Sequence, residues 1–220
     1  MIRVDPSVRD NPWLILPCIY ALTDVRVSGL SHAEQVELLS SGGATLIQLR
    51  EKQMPPREFY KEASDAGEIA AQRGVQLIVN DRVDVALAVG AHGVHLGQDD
   101  MPPEAARKLL GPNAVIGYST HNLEQAIAAT KLPINYLAIG PIFTTTTKSD
   151  TAPVLGLAGL RAVRQAIGAF PLVAIGGITA ANARQVIEAG ADSVAVITAL
   201  LSDSGRISEA THNLLQDLQD

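Results

Sequence analysis

The stretch Gly90-Ala91-His92-Gly93-Val94-His95-Leu96-Gly97-Gln98-Asp99-Asp100 contains the unit from which the fold is read. Its Gly-Ala pair closes the preceding helical segment, because glycine accepts the left-handed turn that stops a helix. Gly93–Leu96 then reads as a short buried strand, and a polar cluster follows at once. The pattern recurs: Gly43-Ala44 precedes a strand at Thr45–Leu49, and Gly190-Ala191 precedes one at Ser193–Ile197. Other strands read at Ile19–Leu22, Gln76–Val79, Ala114–Gly117, Tyr136–Ile139 and Leu172–Ile175. Helix-period segments fall near 31–41, 56–73, 82–88, 102–109, 122–130, 157–168, 180–188 and 207–218. Eight alternating units predict an α/β chain closed as a (β/α)8 TIM barrel. An open doubly wound sheet is the rival, but no G-x-G-x-x-G follows the first strand. The expected organisation is a tail over residues 1–12 and a single barrel domain over 13–220.

The composition narrows the function. The chain has 220 residues, 47% of them hydrophobic, which is enough to bury a substantial core. Its net charge of −6 removes the drive toward nucleic acid or anionic membrane. An anionic substrate would need local basic residues to overcome that field. The single cysteine, Cys18, excludes an intramolecular disulfide and a cysteine-based zinc cluster, and reads as a small buried hydrophobe. The longest apolar run, Trp13 to Leu22, is interrupted by Pro17 and is too short to span a bilayer. Asp5 and Asp10 precede it where a signal peptide carries basic residues. These features predict a soluble, cytoplasmic protein acting on small molecules, without nucleic-acid or membrane partners; a homo-oligomer is left open.

In this fold the active site lies at the carboxyl ends of the strands. There the chain carries QLREK, ND, GQDD, YSTH, GPIFTTTTKSD, GGIT and ITAL, whereas the turns before the strands hold mostly Gly, Ala and Pro. Alternation along strand two sets Thr45, Ile47 and Leu49 against the outer helices, and Gln48, Arg50 and Lys52 toward the barrel mouth. Arg50 and Lys52 suit a diphosphate, one by paired donors and the other as a point charge. The competing reading is a buried Arg50 salt bridge with a surface Glu51–Lys52 pair. Asp81 and Asp100, on adjacent strand ends without His or Cys, suit a hard cation such as Mg2+. Either could instead serve a helix N-terminus, and Asp84 and Asp99 read as structural.

The loop Gly140 to Asp150 contains four consecutive threonines and Lys148. Thr145, Thr146, Thr147 and Lys148 offer donors and a charge to an anion over which the loop could close. Gly176-Gly177 and Thr198 follow strands seven and eight, the usual phosphate position in this fold. His95 reads as a hydrogen-bonded barrel residue. His121 reads as an acid/base or as a loop-packing group, and His32 and His212 as solvated helix residues.

In order, QLREK, VNDRVDVAL, GVHLGQDD, GYSTH, GPIFTTTTK and AIGGIT closely resemble the thiamine-phosphate synthase family, from about Ile19 to Leu201. The resemblance implies a barrel enzyme that joins 4-amino-2-methyl-5-hydroxymethylpyrimidine diphosphate to 4-methyl-5-(2-phosphoethyl)thiazole and releases pyrophosphate. It further implies that Gln48, Arg50, Lys52, Asn80, Ser119 and Lys148 contact the pyrimidine diphosphate. Asp81 and Asp100 would hold Mg2+, while Thr145, Thr147, Gly177, Ile197 and Thr198 would hold the thiazole phosphate. Thr198 stands where the family commonly has Ser, and the threonine run varies around T-x-T-K. Two rivals are a thiazole tautomerase paralogue and a non-catalytic barrel that binds phosphorylated ligands. The combination of Arg50, Lys52, Asp81, Asp100 and Lys148 weighs against both.

Overall fold

The computed structural model describes residues 14, 16–145 and 153–219; the expected tail over 1–12 lies outside them. Strands β1 (Ile19–Leu22), β2 (Leu46–Leu49), β3 (Gln76–Asn80), β4 (Gly93–Leu96), β5 (Val115–Thr120), β6 (Tyr136–Ile139), β7 (Leu172–Ile175) and β8 (Ser193–Val196) lie side by side in chain order. Every pair is parallel, and β8 closes on β1 through Tyr20 opposite Ala195. The helices are α1 (Val25–Ser28), α2 (His32–Ser41), α3 (Pro56–Arg73), α4 (Val83–Ala88), α5 (Pro103–Leu110), α6 (Leu123–Ala129), α7 (Gly156–Ile167), α8 (Ala180–Glu188), α9 (Thr198–Leu201) and α10 (Ile207–Gln219). The fold is a (β/α)8 TIM barrel. Gly43, Gly90 and Gly190 do take positive φ (101°, 64° and 112°) at the helix-to-strand returns. Among the described residues no helix is long and apolar enough to cross a membrane.

Strand periodicity divides the core into two layers. Outward residues such as Ile47, Leu49, Val79 and Leu137 pack with Val36, Leu39, Phe59 and Leu160 of the helices. Inward residues, including Tyr20, Leu22, Leu46, Ile78, Tyr136 and Val173, fill the barrel. Thr45, expected on the packed outer face, precedes β2 and is exposed. Strand β5 runs on to Thr120, so Ser119 belongs to the sheet rather than to a following loop. Pairing of Ser119 with Ala138 and of Thr120 with Ile139 extends it. Strand β8 stops at Val196 because Ile197 already caps α9. The four-residue helices α1 and α9 are too short to show a hydrophobic period, which is why the sequence did not reveal them.

His32, expected to be solvated, is fully buried. Ser31 is the N-cap of α2 in a capping box with Glu34, so the helix starts at His32, one residue later than expected, and His32 faces inward from its first position. There it meets Phe59 with ring centroids 5.8 Å apart, and its Nδ1 lies 2.7 Å from Thr23 Oγ1. His212 is exposed, as expected. Cys18 is half-buried against the outer core rather than fully enclosed, and burial raises its thiol pKa, which keeps it a poor nucleophile.

At the amino-terminal end of the barrel, Arg107 joins two returns. Its guanidinium donates to the carbonyls of Gly111 (3.1 Å), Ala114 (2.5 Å) and Pro133 (3.2 Å), and to Asn135 Oδ1 (2.8 Å). Arg107→Ala leaves several of these acceptors without a donor and should lower unfolding free energy by about 2–4 kcal/mol. Urea denaturation measures it; a loss below about 1 kcal/mol would mean that water replaces the guanidinium.

Candidate active site

A cleft of about 780 Å³ opens at the carboxyl ends of the strands. Gln48, Arg50, Lys52, Asn80, Asp81, Asp100, Ser119, Thr145, Gly177, Ile197 and Thr198 all line it. Thr146, Thr147 and Lys148 lie outside the described residues. A smaller cavity of about 390 Å³ between strand starts, lined by residues such as Leu87, His92 and Leu110, gathers no comparable chemistry.

The β1–β4 side carries the charge. Arg50 Nη1 donates to Asp24 Oδ2 at 2.5 Å, with the two side chains only 12% and 9% exposed. Asp24 Oδ1 also accepts from Arg26 N (3.0 Å), capping α1. The salt bridge of the competing reading therefore exists, yet Arg50 still faces the cleft. Lys52 pairs with Asp81 rather than with Glu51, whose carboxylate instead accepts the backbone N–H groups of Lys52, Gln53 and Met54.

Neither candidate metal ligand caps a helix. The residue capping α4 is Arg82 and that capping α5 is Pro102, both without a side-chain cap bond. Asp81 sits in the left-handed region at φ 62°, held there by its N–H on His95 O (2.8 Å). Asp100 Oδ2 instead turns back to accept from Gly97 N at 2.6 Å. Burial raises the Asp81 pKa; Lys52 pulls it down, and the neighbouring Asp100 pushes it up again. Two carboxylates this close favour a cation between them. Among the described residues no three His, Cys, Asp or Glu side chains gather. The donor set thus fits a hard cation that completes its shell with water and phosphate oxygens, as Mg2+ does. Asp84 is occupied with Arg82 (2.5 Å), in keeping with a structural role.

On the floor, Asn80 is 6% exposed and its Nδ2 has no hydrogen-bond partner, a donor left for a molecule in the cleft. Beside it, His95 Nε2 lies 2.8 Å from Ser119 Oγ, and Gln48 Nε2 donates to Tyr20 OH at 2.9 Å. His121 Nδ1 donates to Gly140 O at 2.8 Å, a loop-packing contact.

The β7–β8 side is the less charged wall. Gly177 has φ 64°, and a Cβ there would come within 2.5 Å of Thr144 O. Glycine at this position lets the loop after β7 pack directly against the loop that leads to Thr145. Thr198 opens α9 beside it.

Asp24 escaped the sequence reading, although Thr23-Asp24 follows the first strand directly and the strand-end rule applied there would have found it. The left-handed turn at Asp81 had no such signal, since aspartate is common in ordinary turns.

Residues 19–200 match the family model described as thiamine monophosphate synthase. A thiamine-phosphate synthase of Chloroflexus aurantiacus is 51% identical over 185 residues, covering 84% of this chain and 85% of that protein. One of Koribacter versatilis is 50% identical over 197 residues, covering 86% and 92%. The solved thiamine phosphate pyrophosphorylase of Pyrococcus furiosus superposes with a TM-score of 0.83 at 40% identity, covering 91% of this chain and 95% of that one.

Proposed function

The chain belongs to the thiamine monophosphate synthase family, transferases of thiamine biosynthesis, and from that premise we propose that it condenses 4-amino-2-methyl-5-hydroxymethylpyrimidine diphosphate with 4-methyl-5-(2-phosphoethyl)thiazole, giving thiamine phosphate and pyrophosphate. The observation that carries this reading is the division of one cleft into a charged wall from β2–β4 and a Gly/Thr wall from β7–β8. In a closed eight-stranded barrel these walls face each other, so two anchored substrates meet in the middle.

Arg50 and Lys52 bind the diphosphate, with Lys148 as a third cation. Asp81 and Asp100 would hold Mg2+, which when bound neutralises diphosphate charge and stabilises the leaving pyrophosphate. Gln48, Asn80 and Ser119 hold the aminopyrimidine at the floor. Thr145, Thr146, Thr147, Gly177, Ile197 and Thr198 hold the thiazole phosphate. Arg50, Lys52 and Lys148 stabilise the negative charge that develops as the C–O bond breaks. The electron-rich aminopyrimidine supports the resulting benzylic-type cation, and the positioned thiazole nitrogen then attacks that carbon. This dissociative course uses no protein nucleophile. Orientation and exclusion of water supply much of the acceleration.

Purified protein mixed with both substrates should form thiamine phosphate and pyrophosphate with Mg2+, and stop with EDTA. Isomerisation of the thiazole phosphate alone would make it a tautomerase, and binding without turnover a sensor. Thr198→Ala should raise KM for the thiazole phosphate on the order of ten-fold while leaving that for the pyrimidine diphosphate near its starting value. The reverse pattern would exchange the two walls.

A further inference from the structure

A continuous line of hydrogen bonds crosses the barrel at the floor of the cleft. Gln48 Nε2 donates to Tyr20 OH (2.9 Å), Tyr20 OH lies 2.9 Å from Tyr136 OH, and Tyr136 OH lies 3.0 Å from His95 Nδ1. His95 Nε2 completes the line at 2.8 Å from Ser119 Oγ. The three middle members are almost sealed from water, at 1%, 0% and 7% exposure for Tyr20, Tyr136 and His95.

We infer that this line is a one-way hydrogen-bond chain in which Tyr20, Tyr136 and His95 act as positioning residues, holding His95 in its Nε2–H form so that Ser119 presents its hydroxyl hydrogen to an acceptor atom of the pyrimidine diphosphate. The inference rests on Ser119 as a contact of that substrate, as read above.

Direction follows from counting hydrogens. The amide of Gln48 donates, so Tyr20 accepts there; buried as it is, its single hydrogen also needs an acceptor, and of its two hydrogen-bond partners only Tyr136 can take it. Tyr136 has then accepted and gives its own hydrogen to His95 Nδ1. A neutral imidazole accepting at Nδ1 carries its hydrogen at Nε2 and donates it to Ser119 Oγ. Ser119 is thereby made an acceptor within the protein, and its remaining hydrogen is left for the cleft. Burial pushes both phenol pKa values well up, so each retains the one hydrogen that the count requires.

The packing is built around this contact. Gly117 lies opposite His95 on one side and Tyr136 on the other. A Cβ at Gly117 would sit 2.1 Å from Tyr136 Cζ and 2.5 Å from His95 Nδ1, so only glycine admits their approach. The two rings stack with centroids 5.6 Å apart at 26°, and Tyr20 meets Tyr136 edge-on at 5.8 Å. A polar line through a barrel interior is costly unless each member is satisfied, which ties its parts together.

The test pairs ring-nitrogen NMR of His95 in the free protein with single-turnover rates. The wild type should show the Nε2–H tautomer. Tyr136→Phe preserves the ring and should blur that preference and slow product formation by about ten-fold. In a Ser119→Ala background the same substitution should cost little further, because the chain would no longer have an end to orient. His95→Gln, which can donate from near the Nε2 position, should retain more rate than His95→Asn. An Nδ1–H tautomer in the wild type would overturn the inference, as would an undiminished Tyr136→Phe loss in the Ser119→Ala background. Full activity of Ser119→Ala alone would sink the reading of Ser119 as a substrate contact, and the tautomer would still decide the direction of the chain.

Discussion

Asp81→Asn is expected to reduce Mg2+-dependent turnover at least about a hundred-fold, or about 2.7 kcal/mol of transition-state stabilisation, while raising the melting temperature of the metal-free protein. Asn is the informative replacement because it tolerates the left-handed conformation at φ 62°, where Ala would add strain of its own. The stability half follows from the raised Asp81 pKa. Burial, together with Asp100, outweighs Lys52 and disfavours the ionised carboxyl in the folded state. A raised folded-state pKa means stability that is complete below the usual aspartate pKa and lost as pH rises through the folded value. The Asn variant should therefore gain most at neutral pH, by on the order of a few degrees, and gain nothing once the carboxyl is protonated in both states. Melting curves in EDTA across pH, beside turnover with Mg2+, measure both halves. Unchanged turnover would remove Asp81 from the metal site. A lower melting temperature at neutral pH would mean that the Lys52 pairing outweighs the repulsion. Asp84→Asn is the control, expected to leave turnover unchanged because that carboxylate is occupied with Arg82 on the surface.

The barrel was legible because strand and helix periods, together with Gly-Ala returns, are local signals. Gly90, Ala91 and the run Gly93–Leu96 carry one helix-to-strand return and its strand within seven residues. The charged wall was legible for a similar reason, since alternation along β2 aims Gln48 and the strand's end aims Arg50 without knowledge of anything distant. What stayed hidden depends on separation along the chain. Tyr20 and Tyr136 are 116 positions apart and meet only once the barrel closes. His32 looked solvated because its burial is decided by Phe59 on another helix and Thr23 after another strand. Strand limits shifted where neighbours decided them: β5 gained Tyr118 to Thr120 by pairing with β6, and β8 lost Ile197 to the start of a helix.

Arg50 combines both kinds of information, and its replacement has the second large expected effect. Arg50→Met should lower turnover on the order of a hundred-fold or more, through loss of paired donors to the diphosphate. It should also destabilise the protein by about 3 kcal/mol, because Asp24 is left buried without its cation. Methionine keeps the apolar stem, so lost packing contributes little. The two losses have different origins and should separate in a double variant. Asp24→Asn removes the stranded charge yet keeps a side-chain oxygen to accept from Arg26 N and cap α1. Arg50→Met with Asp24→Asn should therefore recover stability to within about 1 kcal/mol of the wild type, as judged by urea unfolding, while turnover stays low. If Arg50 served only as a strut for Asp24, repairing the unpaired charge would restore turnover together with stability. Recovery of stability alone would instead require that Arg50 acts on the substrate, with Asp24 fixing where its guanidinium points.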